Sequence, residues 1–183
     1  EVKKAREAAK EVAYEIFALY SKKAEKREFQ YEKENDLGGG LASSFSFVET
    51  PDQKKAFDDV FKDMNDEKPM DRLISGDVGF GKTEVAIRAM FKAFLSNKVS
   101  VLLCPTTILA DQHFITCKER LAQFGVSISL LSRFKTKKEQ LKTLSMVKLG
   151  QVDILIGTHR LLSKDVQISN LGLLVIDEEH RFG

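Results

Sequence analysis

Gly76-Asp77-Val78-Gly79-Phe80-Gly81-Lys82-Thr83 carries the spacing G-x-x-x-x-G-K-T, which suits a backbone that must wrap closely around a chain of phosphates. Glycines let consecutive N–H groups point inward at anionic oxygens, and a helix starting at Lys82 adds the positive end of its dipole. Lys82 would neutralise the β- and γ-phosphates of ATP, and the Thr83 hydroxyl would hold Mg²⁺. The whole segment, Gly76, Asp77, Val78, Gly79, Phe80, Gly81, Lys82 and Thr83, is therefore a candidate cofactor-binding loop.

A second candidate lies almost a hundred residues downstream. The apolar run Leu173-Leu174-Val175-Ile176 delivers Asp177, Glu178, Glu179 and His180 at its C-terminal end, the edge of an open α/β sheet where ligands bind. Asp177 is placed to share Mg²⁺ with Thr83, and Glu178 to orient and deprotonate an attacking water. An acidic strand end alone is most often a solvated loop. Beside a phosphate loop, it supplies the missing half of a metal–triphosphate site.

These residues need a scaffold, and the patterning supplies one. Candidate strands at 72–75, 99–103, 126–131, 152–156 and 172–176 alternate with helical stretches at 52–65, 82–95, 107–123 and 136–148. That order predicts an α/β fold with a parallel sheet flanked by helices, because parallel strands require crossovers. Ile154-Leu155-Ile156 and Val101-Leu102-Leu103 are apolar without alternation, as expected for strands buried on both faces. Upstream, Ala5, Ala9, Val12, Ile16 and Leu19 recur at helical spacing and predict a long amphipathic helix within residues 1–34. Gly38-Gly39-Gly40 and Ser43-Ser44 interrupt that periodicity, so 35–46 reads as a linker and 47–183 as the main domain.

Composition excludes more than it assigns. With 29 Lys+Arg against 27 Asp+Glu, the formal charge of +2 is too small for a global nucleic-acid field, so any such contact must be local. Cys104 and Cys117 have neither metal-ligand spacing nor a disulfide framework and are expected in or near the core. No apolar run is long enough to cross a bilayer. The expectation is a soluble cytoplasmic protein with no membrane partner.

The phosphate loop, the Asp177-Glu178-Glu179-His180 box, Pro105-Thr106-Thr107-Ile108-Leu109-Ala110-Asp111-Gln112-His113 and Gly157-Thr158-His159-Arg160-Leu161-Leu162 resemble the ordered motifs of the first motor lobe of superfamily 2 helicases. Extended through Arg181-Phe182-Gly183, they are most similar to the bacterial transcription-repair coupling factors; fork-remodelling relatives usually carry Gln where this chain has Glu179. The resemblance implies a RecA-like P-loop lobe, ATP and Mg²⁺ as cofactors, and double-stranded DNA as partner. It also implies RNA polymerase and excision-repair proteins as partners, reached mostly through other domains.

On the same basis, Gln53 would read the adenine edge and Phe47 would stack on the base, with Phe45 a competitor. Thr50, Pro51 and Gln53 also spell a helix-capping box, so Gln53 has a purely structural alternative. Thr106, Thr107, Gly157, Thr158, His159 and Arg160 would grip the DNA sugar–phosphate backbone, which carries no sequence information. Arg133 is a weaker candidate for that groove. Helix capping is the alternative for Thr107, and a surface charge for Arg160 and Arg133. Among the histidines, His180 would couple the nucleotide and DNA sites as a catalytic residue with Lys82, Asp177 and Glu178, whereas His113 reads as a helix-face residue without a ligand.

Two other functions compete with a polymerase-displacing translocase: a fork-remodelling helicase lobe, and a non-catalytic, nucleotide-responsive interaction module. The resemblance further implies that a strand following Asp177 inserts beside the phosphate-loop strand. The isolated chain is then expected to be marginally stable and to hydrolyse little ATP.

Overall fold

A computed structural model describes residues 26–32, 36–44, 48–77, 79–178 and 181, with the side chains of 36 and 37 excepted. Most of the expected N-terminal helix lies outside the described residues; 26–32 are extended or bent rather than helical.

Five helices and four strands are described: α1 (Asp36–Ser43), α2 (Pro51–Asn65), α3 (Lys82–Leu95), β1 (Val99–Leu103), α4 (Thr107–Leu121), β2 (Ile128–Leu131), α5 (Lys137–Lys148), β3 (Ile154–Gly157) and β4 (Leu171–Ile176). The strands form one parallel sheet in the order β2-β3-β1-β4. Alternate residues of the central strands feed two cores. Leu102, Ile154 and Ile156 join the cluster that includes Met90 of α3 and Cys117 of α4, whereas Val101, Leu103 and Leu155 pack with Val147 of α5. Burial on both faces explains why these strands lack polar alternation.

Helix starts are set locally. Thr50 and Thr136 each cap a helix through a reciprocal box with Gln53 and Glu139, and Pro51 occupies the first turn of α2. Such a cap satisfies two backbone N–H groups that the helix itself leaves unbonded.

The structure corrects two expectations. Residues Asp36–Ser43, expected within a flexible linker, are helical despite three consecutive glycines. Each glycine costs a helix about 1 kcal/mol relative to alanine. Leu41 offsets part of that by being 1% exposed, and burying a leucine contributes about 1.5–3 kcal/mol. Arg120 of α4 adds hydrogen bonds to the carbonyls of Leu41 (3.4 Å) and Ser44 (3.1 Å) at the C-terminal end of α1, where a cation suits the helix dipole. Tertiary packing thus overrides local propensity.

The second correction concerns 72–75, expected as a strand. Residues 71–77 have no ladder partner. Arg72 instead pairs with Asp63 at 2.6 Å and Asp59 at 3.4 Å on α2, and Ile74 packs against the larger core. The sheet ends at β4, where Leu174 and Ile176 are 51% and 44% exposed. A strand needs a neighbour to hydrogen-bond, and among the described residues none lies between 71–77 and β4.

Residues 26–32 form a strap across the N-terminal ends of β1 and β4. The Arg27 guanidinium donates to the carbonyls of Met64 (2.8 Å), Asp63 (3.2 Å) and Asp66 at the end of α2. Tyr31 Oη donates to Gly172 O at 2.6 Å, and Lys98 Nζ lies 4.2 Å from the Phe29 ring centroid. Lys92 Nζ donates to Glu32 O at 2.9 Å, and Glu32 N to Ser96 Oγ at 2.9 Å.

Gly157 has a packing reason to be glycine. A Cβ there would stand 2.2 Å from Leu131 O and 2.9 Å from Leu161 Cγ. Gly157→Ala is therefore expected to lower stability by about 1–3 kcal/mol through overpacking, read as a lower urea midpoint with an unchanged slope.

Candidate nucleotide and metal site

The phosphate-loop candidate runs from the unpaired 71–77 segment into α3. Gly79 and Gly81 adopt φ values of +85° and +76°, which glycine reaches without a Cβ clash. Gly81 is also the N-cap of α3 and brings no side chain to its first-turn N–H groups. Unlike the Thr-capped starts of α2, α4 and α5, this helix start has no side-chain acceptor for its first N–H groups, an arrangement that suits an external anion. Val78 lies outside the described residues. Lys82 Nζ donates to the carbonyls of Gly76 and, at 3.0 Å, Asp77, so its ammonium points into the mouth of the loop.

Gln53 uses both ends of its amide. Its Oε1 accepts from Thr50 N at 2.9 Å, and its Nε2 donates to Phe80 O at 2.8 Å. The capping alternative is therefore realised, and the same side chain tethers the phosphate loop. A Cβ on Gly81 would fall 2.6 Å from Gln53 Nε2. A cavity of about 290 Å³ opens between Gln53, Phe80 and Lys82. Phe47 lies outside the described residues.

Asp177 and Glu178 follow β4, and the Asp177 N–H extends the ladder by donating to Leu103 O at 2.9 Å. Lys82, Thr83, Asp177 and Glu178 line one cavity of about 400 Å³ between the start of α3 and the end of β4. The two distant motifs are thus brought together. Glu178 has a φ of +51°, a left-handed conformation that non-glycine residues adopt at a cost. Its Oε2 pairs with Arg181 Nε at 2.9 Å. His180 lies outside the described residues.

His113, expected as a helix-face residue without a ligand, has an intramolecular partner in the site. Its Nε2 lies 2.8 Å from Asp177 Oδ2, with side chains only 14% and 29% exposed. The signal was present: His113 sits among the buried positions Ala110, Cys117 and Leu121 of α4, and a polar ring on an apolar stripe needs a partner. The hydrogen bond from His113 holds the Asp177 carboxyl below its usual range; burial opposes this, and the Lys82 charge adds a smaller favourable pull. Asp177 is therefore an ionised acceptor at neutral pH. The donor set fits Mg²⁺, which takes one or two carboxylates plus substrate phosphates rather than an all-protein cage. Burial pushes the Cys104 and Cys117 thiols up to about 12, which leaves them protonated and inert.

The candidate DNA residues divide. Thr106 is the N-cap of α4, accepting from Leu109 N at 3.2 Å, and Thr107 opens the helix; the capping role expected of Thr107 belongs to its neighbour. Arg133 is exposed after β2. Gly157 and Thr158 are buried, whereas His159 is exposed. Arg160 makes a two-pronged pair with Asp165 at 2.8 and 2.6 Å and donates to Gln140 at 2.9 Å. The geometry thus gives Arg160 a role in holding its turn. Among the described residues, no helix is long and apolar enough to cross a membrane.

A model of the DEAD/DEAH box helicase family matches residues 50–183. The transcription-repair-coupling factor of Bacillus subtilis is 49% identical over 181 residues, covering 99% of this chain and 15% of that protein. The Haemophilus influenzae protein of the same description is 48% identical over 180 residues, covering 98% of this chain and 16% of the relative. This chain therefore spans roughly a sixth of the length of these relatives. A structure of RecG bound to a three-way DNA junction has a TM-score of 0.78 at 40% identity, over 84% of this chain and 21% of that one. A hypothetical ATP-dependent RNA helicase from Sulfolobus tokodaii has a TM-score of 0.61 at 18% identity, over 80% of this chain and 42% of that one, a likeness of fold alone.

Proposed function

From the premise that the chain belongs to the DEAD/DEAH box helicase family, we propose that it is the first motor lobe of an ATP-dependent double-stranded-DNA translocase. The complete protein would displace stalled RNA polymerase and couple transcription to excision repair. The observation that carries this reading is the single cavity shared by Lys82, Thr83, Asp177 and Glu178.

Bound Mg²⁺·ATP would supply the bond to be cleaved and a cation that offsets its charge. The chain's own residues do the rest. The Lys82 ammonium and the first N–H groups of α3 would bind phosphate oxygens. Thr83 and Asp177 would hold the cation, and Glu178 would orient a water and accept its proton. Gln53 holds the loop through Phe80 O and would turn its amide to an adenine on the side of the smaller cavity, with Phe47 as its stacking partner. Thr106, Thr107, Gly157, Thr158, His159 and Arg133 would offer hydroxyls, backbone groups and charge to the DNA backbone, with Arg160 bracing the turn and His180 linking the two sites. Recruitment of RNA polymerase and repair proteins would fall largely to segments beyond this one.

The likeness to RecG favours a second reading, a lobe of a fork-remodelling helicase. Two assays on the protein extended through its second lobe separate them. The coupling reading expects duplex-stimulated ATP hydrolysis and release of stalled RNA polymerase without branch migration. Branch migration without polymerase release would select the rival. No ATP hydrolysis with duplex present would leave a nucleotide-responsive binding module.

A further inference from the structure

We propose that His113 is a positioning residue for Asp177: its ring N–H fixes the carboxylate plane so that one oxygen is spent on α4 and the other is presented to the metal–nucleotide cavity. The proposal deepens, and rests on, the reading of Asp177 as a carboxylate that holds the cation. A carboxylate at a strand end has two rotatable bonds and no intrinsic preference for the orientation a cation needs. Here one rotation is removed by the 2.8 Å contact between His113 Nε2 and Asp177 Oδ2. His113 is itself held, because it projects from the second turn of α4 beside Ala110 and Cys117, both fully buried. A largely buried imidazole has lost most of its water partners and needs a replacement, so the ring and the carboxylate constrain each other. Both side chains line the cavity that also holds Lys82 and Thr83. The same helix begins at Thr106 and Thr107, so a shift of α4 on binding a partner there would reach the carboxylate through one side chain. Groups that orient metal ligands in this way typically contribute 10–100-fold to affinity or activity.

The test measures ADP affinity of the full-length protein by calorimetry, once with Mg²⁺ and once with EDTA. His113→Ala is expected to erase most of the Mg²⁺-dependent gain, roughly 10–100-fold, while affinity in EDTA stays at the wild-type value. His113→Gln, whose amide N–H can reach the same oxygen, is expected to recover most of the gain. His113→Asn, one methylene shorter, is not, and the Gln–Asn comparison carries the test if the Ala variant fails to fold. The proposal is overturned if His113→Ala keeps the wild-type gain, if it weakens ADP equally in EDTA, or if Gln and Asn behave alike. A wild-type protein with no Mg²⁺-dependent gain would instead remove the metal–nucleotide reading itself, and this proposal with it.

Discussion

Glu178→Gln is expected to lower the duplex-stimulated ATP turnover of the two-lobe protein by about 10²–10⁴-fold, the range that a positioned general base supplies. Affinity for Mg²⁺·ADP and for duplex DNA should stay within about twofold, because glutamine keeps the size of the side chain and the loop, Lys82, Thr83 and Asp177 are untouched. The conformation of residue 178 sharpens the expectation. Its φ of +51° is a local strain of the kind retained at functional positions, costing about 1–3 kcal/mol. The carboxylate is paired with Arg181 through Oε2 at 2.9 Å, a contact that leaves acceptor sites on both oxygens for a water. Stopped-flow phosphate release alongside nucleotide titration checks both halves. Equal loss of binding and turnover would show that Glu178 shapes the site rather than performing proton transfer.

The largest expected loss of stability comes from Glu84, two residues after the phosphate-loop lysine. It is 5% exposed and faces two guanidinium groups: Arg88 Nε at 3.0 Å and Arg120 at 2.6 and 3.2 Å. Arg88 also meets Glu49 at 2.6 Å and lies 4.0 Å from the Phe57 ring centroid. Arg120 reaches on to Ser44 Oγ at 2.7 Å. One carboxylate thus joins α3 to α4 and, through Arg120, to α1. Glu84→Ala is expected to cost about 3–5 kcal/mol, because it strands buried positive charge. Against a typical total of about 5–15 kcal/mol, that approaches unfolding. Replacing Glu84, Arg88 and Arg120 together by Leu and Met should cost less than the single change, since the one carboxylate that then loses its partner, Glu49, is partly exposed to water. Urea titration of the two-lobe protein followed by far-UV circular dichroism distinguishes these outcomes.

Where chemistry and periodicity agreed, the sequence was sufficient. Helix α3 and strand β1 fall on the expected ranges 82–95 and 99–103, because the glycine loop fixes the start of one and an unbroken apolar run marks the other. The convergence of Lys82 with Asp177 was legible for the same reason: each motif is half of one site. What escaped was set by partners distant in sequence. Three glycines at 38–40 argue against a helix until Arg120 and the burial of Leu41 are known. Residues 72–75 have strand composition, but a strand is defined by its neighbour. His113 read as a bystander because its meaning lies 64 positions away, at Asp177. Arg160 read as a DNA-backbone candidate, with a surface charge as the alternative, because Asp165 and Gln140 give no sign in one dimension that they will pair with it.

The strap at residues 26–32 has a mechanical consequence. Its bonds to the end of α2, to Gly172 and to Ser96 and Lys92 are spread along seven residues and anchored on separate elements. Any load on this segment is therefore divided among several separate elements, and no single bond has to carry it alone.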